Sequence, residues 1–150
     1  MKTVTVILIS VCLIVPVFAQ QYGQRYETEQ PRVRFASLPV YIDSGNSALA
    51  AYQFELKTTK GQIKIVGLEN GEAPAFANPP YYDPAALAHD KIIIAAFNTG
   101  NNLPTGSTRV VSLQLQIIGD TEPQYQLDLT VAADADGNKI PAEITIDKGE

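Results

Sequence analysis

Thr108–Ile118 reads TRVVSLQLQII, and Tyr125–Ala133 reads YQLDLTVAA. In the first stretch Val111, Leu113, Leu115 and Ile117 alternate with Ser112, Gln114 and Gln116. In the second, Tyr125, Leu127, Leu129 and Val131 alternate with Gln126, Asp128 and Thr130. A period of two places every apolar residue on one face of an extended strand and every polar one on the other. Two long strands of this kind, each with one face to bury, predict sheets packed face to face.

The same pattern extends outward in both directions. Ala50–Thr58 alternates Tyr52, Phe54 and Leu56 with Gln53, Glu55 and Lys57. Lys60-Gly61 then turns the chain into Gln62–Leu68, where Ile63 and Ile65 keep step. Leu38–Ile42 is a short apolar run ended by Asp43-Ser44-Gly45-Asn46, a turn signature. Lys91–Asn98 differs, because Ile92, Ile93, Ile94, Ala95, Ala96 and Phe97 leave both faces apolar. Such a strand is expected to be covered on both sides or to lie beside something that covers it. The Gly-, Ala- and Pro-rich segment Glu69–Asp83 reads as a loop, and Pro84–Ala88 as one helical turn capped by Asp83. A last strand is expected near Glu143–Asp147. Helical periodicity nowhere lasts beyond a turn or two, so the expectation is an all-β sandwich.

Met1–Ala19 has the three parts of a secretory signal of bacterial type. Lys2 gives the positive start, Val4–Val15 the apolar stretch, and Val17-Phe18-Ala19 a small residue before the cut. The stretch is shorter than the about 20 residues a membrane span takes. Cys12 follows Val11, a poor neighbour for a lipidated cysteine. The expected organisation is a leader over 1–19, a polar flexible lead-in over 20–31 and one β-sandwich over 32–150. The expected location is outside the cytoplasm, either secreted or periplasmic.

Loss of Lys2 with the leader takes the formal net charge from −5 to −6. An acidic domain without a basic patch argues against nucleic acid or an anionic membrane as partner. The single cysteine lies in the leader, so no disulfide staples the domain and its core must hold it.

At this point the chain resembles a cohesin-type domain, in the superfamily that also holds carbohydrate-binding modules. The residues that carry the likeness run in order. Ala50–Leu56 resembles the family's third strand, Ile65–Gly71 the fourth and its exit turn, and Lys91–Phe97 the fifth. Arg109–Leu115 resembles the sixth, and Asp134–Ile140 the Asp/Gly/Asn turn before the final strand. The resemblance covers about Val33–Ile146. It implies a jelly-roll β-sandwich of about nine strands and a non-catalytic module that recognises another exported protein, dockerin-bearing or similar, in a setting of polysaccharide catabolism. The implied binding face combines the third, fifth and sixth strands. Its outward residues would be Gln53, Glu55 and Lys57, then Ile92 and Ile94 (Ile93 and Ala95 in the other register), then Ser112, Gln114 and Gln116. The competing expectation is that the loop Glu69–Asp83 covers the isoleucine strip.

Other residues are weaker signals. Tyr81 and Tyr82, on a Pro-rich loop, suit a carbohydrate module whose aromatics stack on sugar rings, the alternative reading. Absence of tryptophan weighs against it. Asp134, Asp136 and Asn138 alternate like calcium-loop ligands, but no acidic residue completes a twelve-residue loop, and a β-turn explains them equally. Neither metal nor cofactor is expected. His89 is the only histidine, there is no G-x-S-x-G motif, and no pair of carboxylates stands out, so an enzyme is not expected. A structural subunit of an extracellular assembly is the third reading.

Overall fold

The computed structural model describes residues 30–147, so the expectations for the leader and for most of the lead-in lie outside the described residues. Among these, eight strands form: β1 (Val33–Asp43), β2 (Ala51–Lys60), β3 (Gln62–Asn70), β4 (Tyr81–Tyr82), β5 (Lys91–Phe97), β6 (Ser107–Ile118), β7 (Gln124–Ala133) and β8 (Glu143–Ile146). They make two antiparallel four-stranded sheets, in the orders β3-β6-β1-β8 and β4-β5-β2-β7. The expected count was about nine. The described residues form eight, close to that, with β1 interrupted by a register shift at Val40/Tyr41.

Alternation dictates what is buried. Val111, Leu113, Leu115 and Ile117 of β6 face Tyr52, Phe54 and Leu56 of β2 across the sandwich, and all are fully buried with Ile92 and Ile94 of β5. Each such side chain contributes about 1.5–3 kcal/mol on leaving water. No disulfide is available, so this layer carries the fold. Tyr52 brings a hydroxyl into it, and that hydroxyl donates to the Val110 carbonyl at 3.1 Å.

Gly61 is the only residue between β2 and β3, and there the chain leaves one sheet for the other. Its φ of +81° lies in the left-handed region that favours glycine, and a Cβ there would crowd Pro123 Cα at 3.1 Å. Two elements within the Gly/Ala/Pro segment have definite jobs. Pro74–Phe76 is a 3₁₀ turn that drops Phe76 edge-on against Tyr52, ring centroids 5.1 Å apart. Pro84–Ala86 is a second 3₁₀ turn, and Asp83 caps it by accepting the Ala85 N–H at 2.9 Å, as the Asp-Pro pair predicts.

One buried polar atom is left over. Among the described residues, the Thr58 hydroxyl at the end of β2 is buried without a hydrogen-bond partner. Its backbone N–H donates to the Asp90 carbonyl and is unaffected by side-chain change. Valine has the same shape without the desolvation cost, so Thr58→Val is expected to stabilise the fold by about 1 kcal/mol. A thermal melt reads this directly. A lower melting temperature would mean that the hydroxyl has a partner after all.

Candidate functional site

The outer face of the β4-β5-β2-β7 sheet is built from the residues that alternate with the core. On β2 these are Gln53, Glu55 and Lys57, between the buried Tyr52, Phe54 and Leu56. On β5 they are Lys91, Ile93, Ala95 and Phe97. Tyr81 of β4 pairs with Ala95 and so shares this face, and Val131 of β7 pairs with Gln53.

The face is unusually apolar. Seven large hydrophobic residues are exposed among the described ones, and four of them lie here: Tyr81, Ile93, Phe97 and Val131. Tyr81 and Phe97 lie parallel, ring centroids 5.9 Å apart at 6°. Below them, toward Asp90, β4 ends after two residues and the chain swings into the Pro84–Ala86 turn. An open groove of about 730 Å³ lies there between Tyr81, Asp83, Ala86, His89, Lys91 and Ile93.

The polar groups of the face are largely spent on one another. Glu55 forms an ion pair with Lys91 at 2.9 Å. Gln53 Nε2 donates to the Thr130 hydroxyl at 3.1 Å, and that hydroxyl donates to the Gln53 carbonyl at 3.0 Å. Gln126 Nε2 donates to Asp128 at 3.0 Å. These bonds tie the polar side chains of the face to one another and leave its apolar side chains exposed.

The expected site is therefore corrected in two respects. Ile92 and Ile94 point inward and are fully buried, and the other register is the one adopted, with Ile93 and Ala95 outward. Lys91, the strand's one polar residue, shares the parity of Ile93 and Ala95 and is the signal in the sequence for this register. Second, Ser112, Gln114 and Gln116 lie on the opposite side of the sandwich, since β6 pairs with β1 and β3. Ser112 is itself buried and receives a hydrogen bond from Arg109 at 2.9 Å. The face thus keeps Gln53, Glu55 and Lys57 and gains Tyr81, Ile93, Phe97 and Val131. Phe97 was findable: it has the same parity as Lys91 and Ile93.

The loop Glu69–Asp83 does not cover this strip. Its Phe76 closes the end of the core, and its Tyr81 adds to the strip. Tyr82 packs inward against the core while Tyr81 points out, so adjacent strand positions send the two rings to opposite faces.

Asp134 accepts from the Asp136 and Asn138 backbone N–H groups at 3.0 and 2.8 Å, and from Asn138 Nδ2 at 3.1 Å. The Asn138 side-chain bond, then the backbone bonds, hold its carboxyl below the usual carboxylate range. The carboxylate is spent on closing the β-turn. Among the described residues no three His, Cys, Asp or Glu side chains gather as metal ligands would. His89 is exposed at the groove.

No protein-family model matches the chain, and no curated protein matches it in sequence. Solved structures do match in fold. One belongs to a cohesin–dockerin complex, CaDoc0917 with CaCohA2, at a TM-score of 0.56 and 12% identity, covering 72% of this chain and 82% of that one. Another is a non-cellulosomal cohesin from the hyperthermophilic archaeon Archaeoglobus fulgidus, at a TM-score of 0.54 and 14% identity, covering 74% and 75%. The fold is that of a cohesin-type jelly-roll sandwich, as the resemblance implied.

Proposed function

We propose that this is a non-catalytic protein-binding module, cohesin-like in function as in fold, exported by its Met1–Ala19 leader. It docks another exported protein, of dockerin type, on the outer face of the β4-β5-β2-β7 sheet. The observation that carries this reading is the exposed apolar cluster of Tyr81, Ile93 and Phe97, with Val131 on the same face beyond Gln53. Exposed apolar side chains concentrated on one rigid face, with their polar neighbours tied to each other, form a patch that a partner can desolvate at small ordering cost. The polar rim of Gln53, Glu55 and Lys57 orients the partner.

The test is affinity capture from the secreted and envelope proteome, with calcium and with chelator, using wild type and two variants. Ile93→Asp with Phe97→Asp is expected to abolish capture, while Phe35→Asp on the opposite sheet leaves it intact. All three substituted residues are exposed, so melting temperatures should stay close to wild type. Capture lost only in the Phe35 variant would move the interface to the other sheet. The parallel Tyr81–Phe97 pair favours one second reading, a polysaccharide ligand. Retention on polysaccharide that Tyr81→Ala abolishes, with no protein captured, would replace the first reading with this one.

A further inference from the structure

We infer that the outer edge of β7 is a self-pairing surface, through which two copies of this chain join as a two-fold dimer with β7 antiparallel to β7. The strand runs for ten residues at the end of its sheet, paired with β2 on one side. On the other side Lys139–Ile140 folds back only against its end, bridging Ala133 and donating the Ile140 N–H to the Ala132 carbonyl at 3.0 Å. A long sheet edge presents unpaired backbone groups, and proteins usually protect it with Lys, Pro or a bulge. Between Gln124 and Ala133 there is no Lys and no Pro. Register shifts fall only toward the ends, at Thr58/Lys60 and at Gln53/Phe54 of the β2 pairing, so Tyr125–Leu129 is a regular stretch.

That stretch, Tyr-Gln-Leu-Asp-Leu, complements itself when Leu127 lies on the two-fold axis. Gln126 then stands opposite Asp128 of the second copy, and Asp128 opposite Gln126 of the second copy. The strand's one charge meets an amide donor, never its own like. Gln126 already donates to Asp128 within the chain, so the amide and carboxylate lie on the same face with matching geometry. Leu129 falls opposite Tyr125, which keeps the inward row apolar across the join.

The inward row also needs cover. Core-facing residues of β2 and β5 such as Phe54, Leu56, Ile92 and Ile94 are fully buried, whereas Leu127 and Leu129 of β7 stay half-exposed. Opposite them, β8 pairs only with Val40–Asp43 of β1, so Ala36 is half-exposed too, and a small cavity opens between Ala36, Leu38 and Tyr125. A second copy on the β7 edge covers this seam. It also joins the two β4-β5-β2-β7 sheets into one eight-stranded sheet whose outer apolar clusters lie on the same side, so the dimer offers a bivalent surface.

Sedimentation velocity of the purified protein over a micromolar to submillimolar range tests this, with two variants at the exposed Gln126. Wild type is expected to show a reversible monomer–dimer equilibrium. Gln126→Asp sets like charges opposite each other twice in the interface and is expected to weaken dimerisation about tenfold. Gln126→Lys places a cation opposite each Asp128 and is expected to strengthen it severalfold. Ile93→Asp with Phe97→Asp should leave dimerisation unchanged, which separates this surface from the partner-binding face. A monomer at every concentration overturns the inference, and so does an association that neither Gln126 variant alters.

Discussion

Gly71→Ala is expected to lower the melting temperature by roughly 10 °C, equivalent to about 2–3 kcal/mol. A Cβ at this position would lie 2.9 Å from Phe76 Cβ, 2.9 Å from the Val110 carbonyl oxygen and 3.0 Å from the Arg109 carbonyl oxygen. Two of the three obstacles are backbone of β6, the most deeply buried strand, and the third belongs to the ring that closes the core. None is the far end of a flexible side chain. The local bonds are interlocked as well: Gly71 N–H donates to the Phe76 carbonyl at 3.0 Å, and Glu72 N–H to the Arg109 carbonyl at 2.9 Å. Making room therefore costs either the seating of Phe76 on Tyr52 or the ladder at Arg109 and Val110. Gly67→Ala is the control, because a Cβ there meets only the Gln114 side chain, at 3.8 Å or beyond. It is expected to stay within about 0.5 kcal/mol of wild type. If the two alanine variants melt together, the close approach at Gly71 is not real.

What the sequence could reveal follows from what alternation encodes. In β2, β6 and β7 polar residues alternate with apolar ones over most of the length. There the inward residues are those the alternation marks: Tyr52, Phe54 and Leu56, Leu113 and Leu115, Leu127 and Leu129. Val131, read on the same face as Leu129, is turned outward by the register shift beside Thr130, and Ser112, read as outward, is buried. Alternation says which face of a strand is buried. It does not say which sheet the strand joins, and so Gln114 and Gln116 were grouped with Gln53 although the core lies between them. In β5 the code rests on one residue, because Lys91–Phe97 has no polar residue after its first. The expectation is a strand covered on both sides or lying beside something that covers it, yet Ile93 and Phe97 are exposed. β4 was missed since two residues between Pro80 and Asp83 cannot show a period, and its pairing with Ala95 and Ile94 exists only in space. The Asp134 turn and the Asp83 cap were legible because both act on backbone a few residues away.

Raising the pH above 10 is expected to unfold the protein progressively, with Tyr52 as the main cause. Burial raises the Tyr52 phenol well above its ordinary value, and the ring is fully enclosed. Burial, helped by the Glu122 carboxylate and opposed by Arg34, pushes Tyr125 up to about 12. In the unfolded chain both phenols ionise near pH 10. A group whose folded pKa lies above its unfolded one contributes stability that is complete below the unfolded value and is lost as pH rises toward the folded one. For Tyr52 the loss is about 1.4 kcal/mol per pH unit above 10. Tyr125 is half-exposed, so solvent screening reduces its share. Tyr52→Phe removes this linkage and also the hydrogen bond to the Val110 carbonyl, at a cost of about 1–2 kcal/mol at neutral pH. The variant should therefore be less stable than wild type at pH 7 but lose stability less steeply above pH 10, so that the two curves meet near about pH 11. Denaturant melts in steps from pH 7 to pH 12 would show the crossing. Curves that stay parallel across the alkaline range would place the linkage on another group and leave the Tyr52 hydroxyl with a packing role alone.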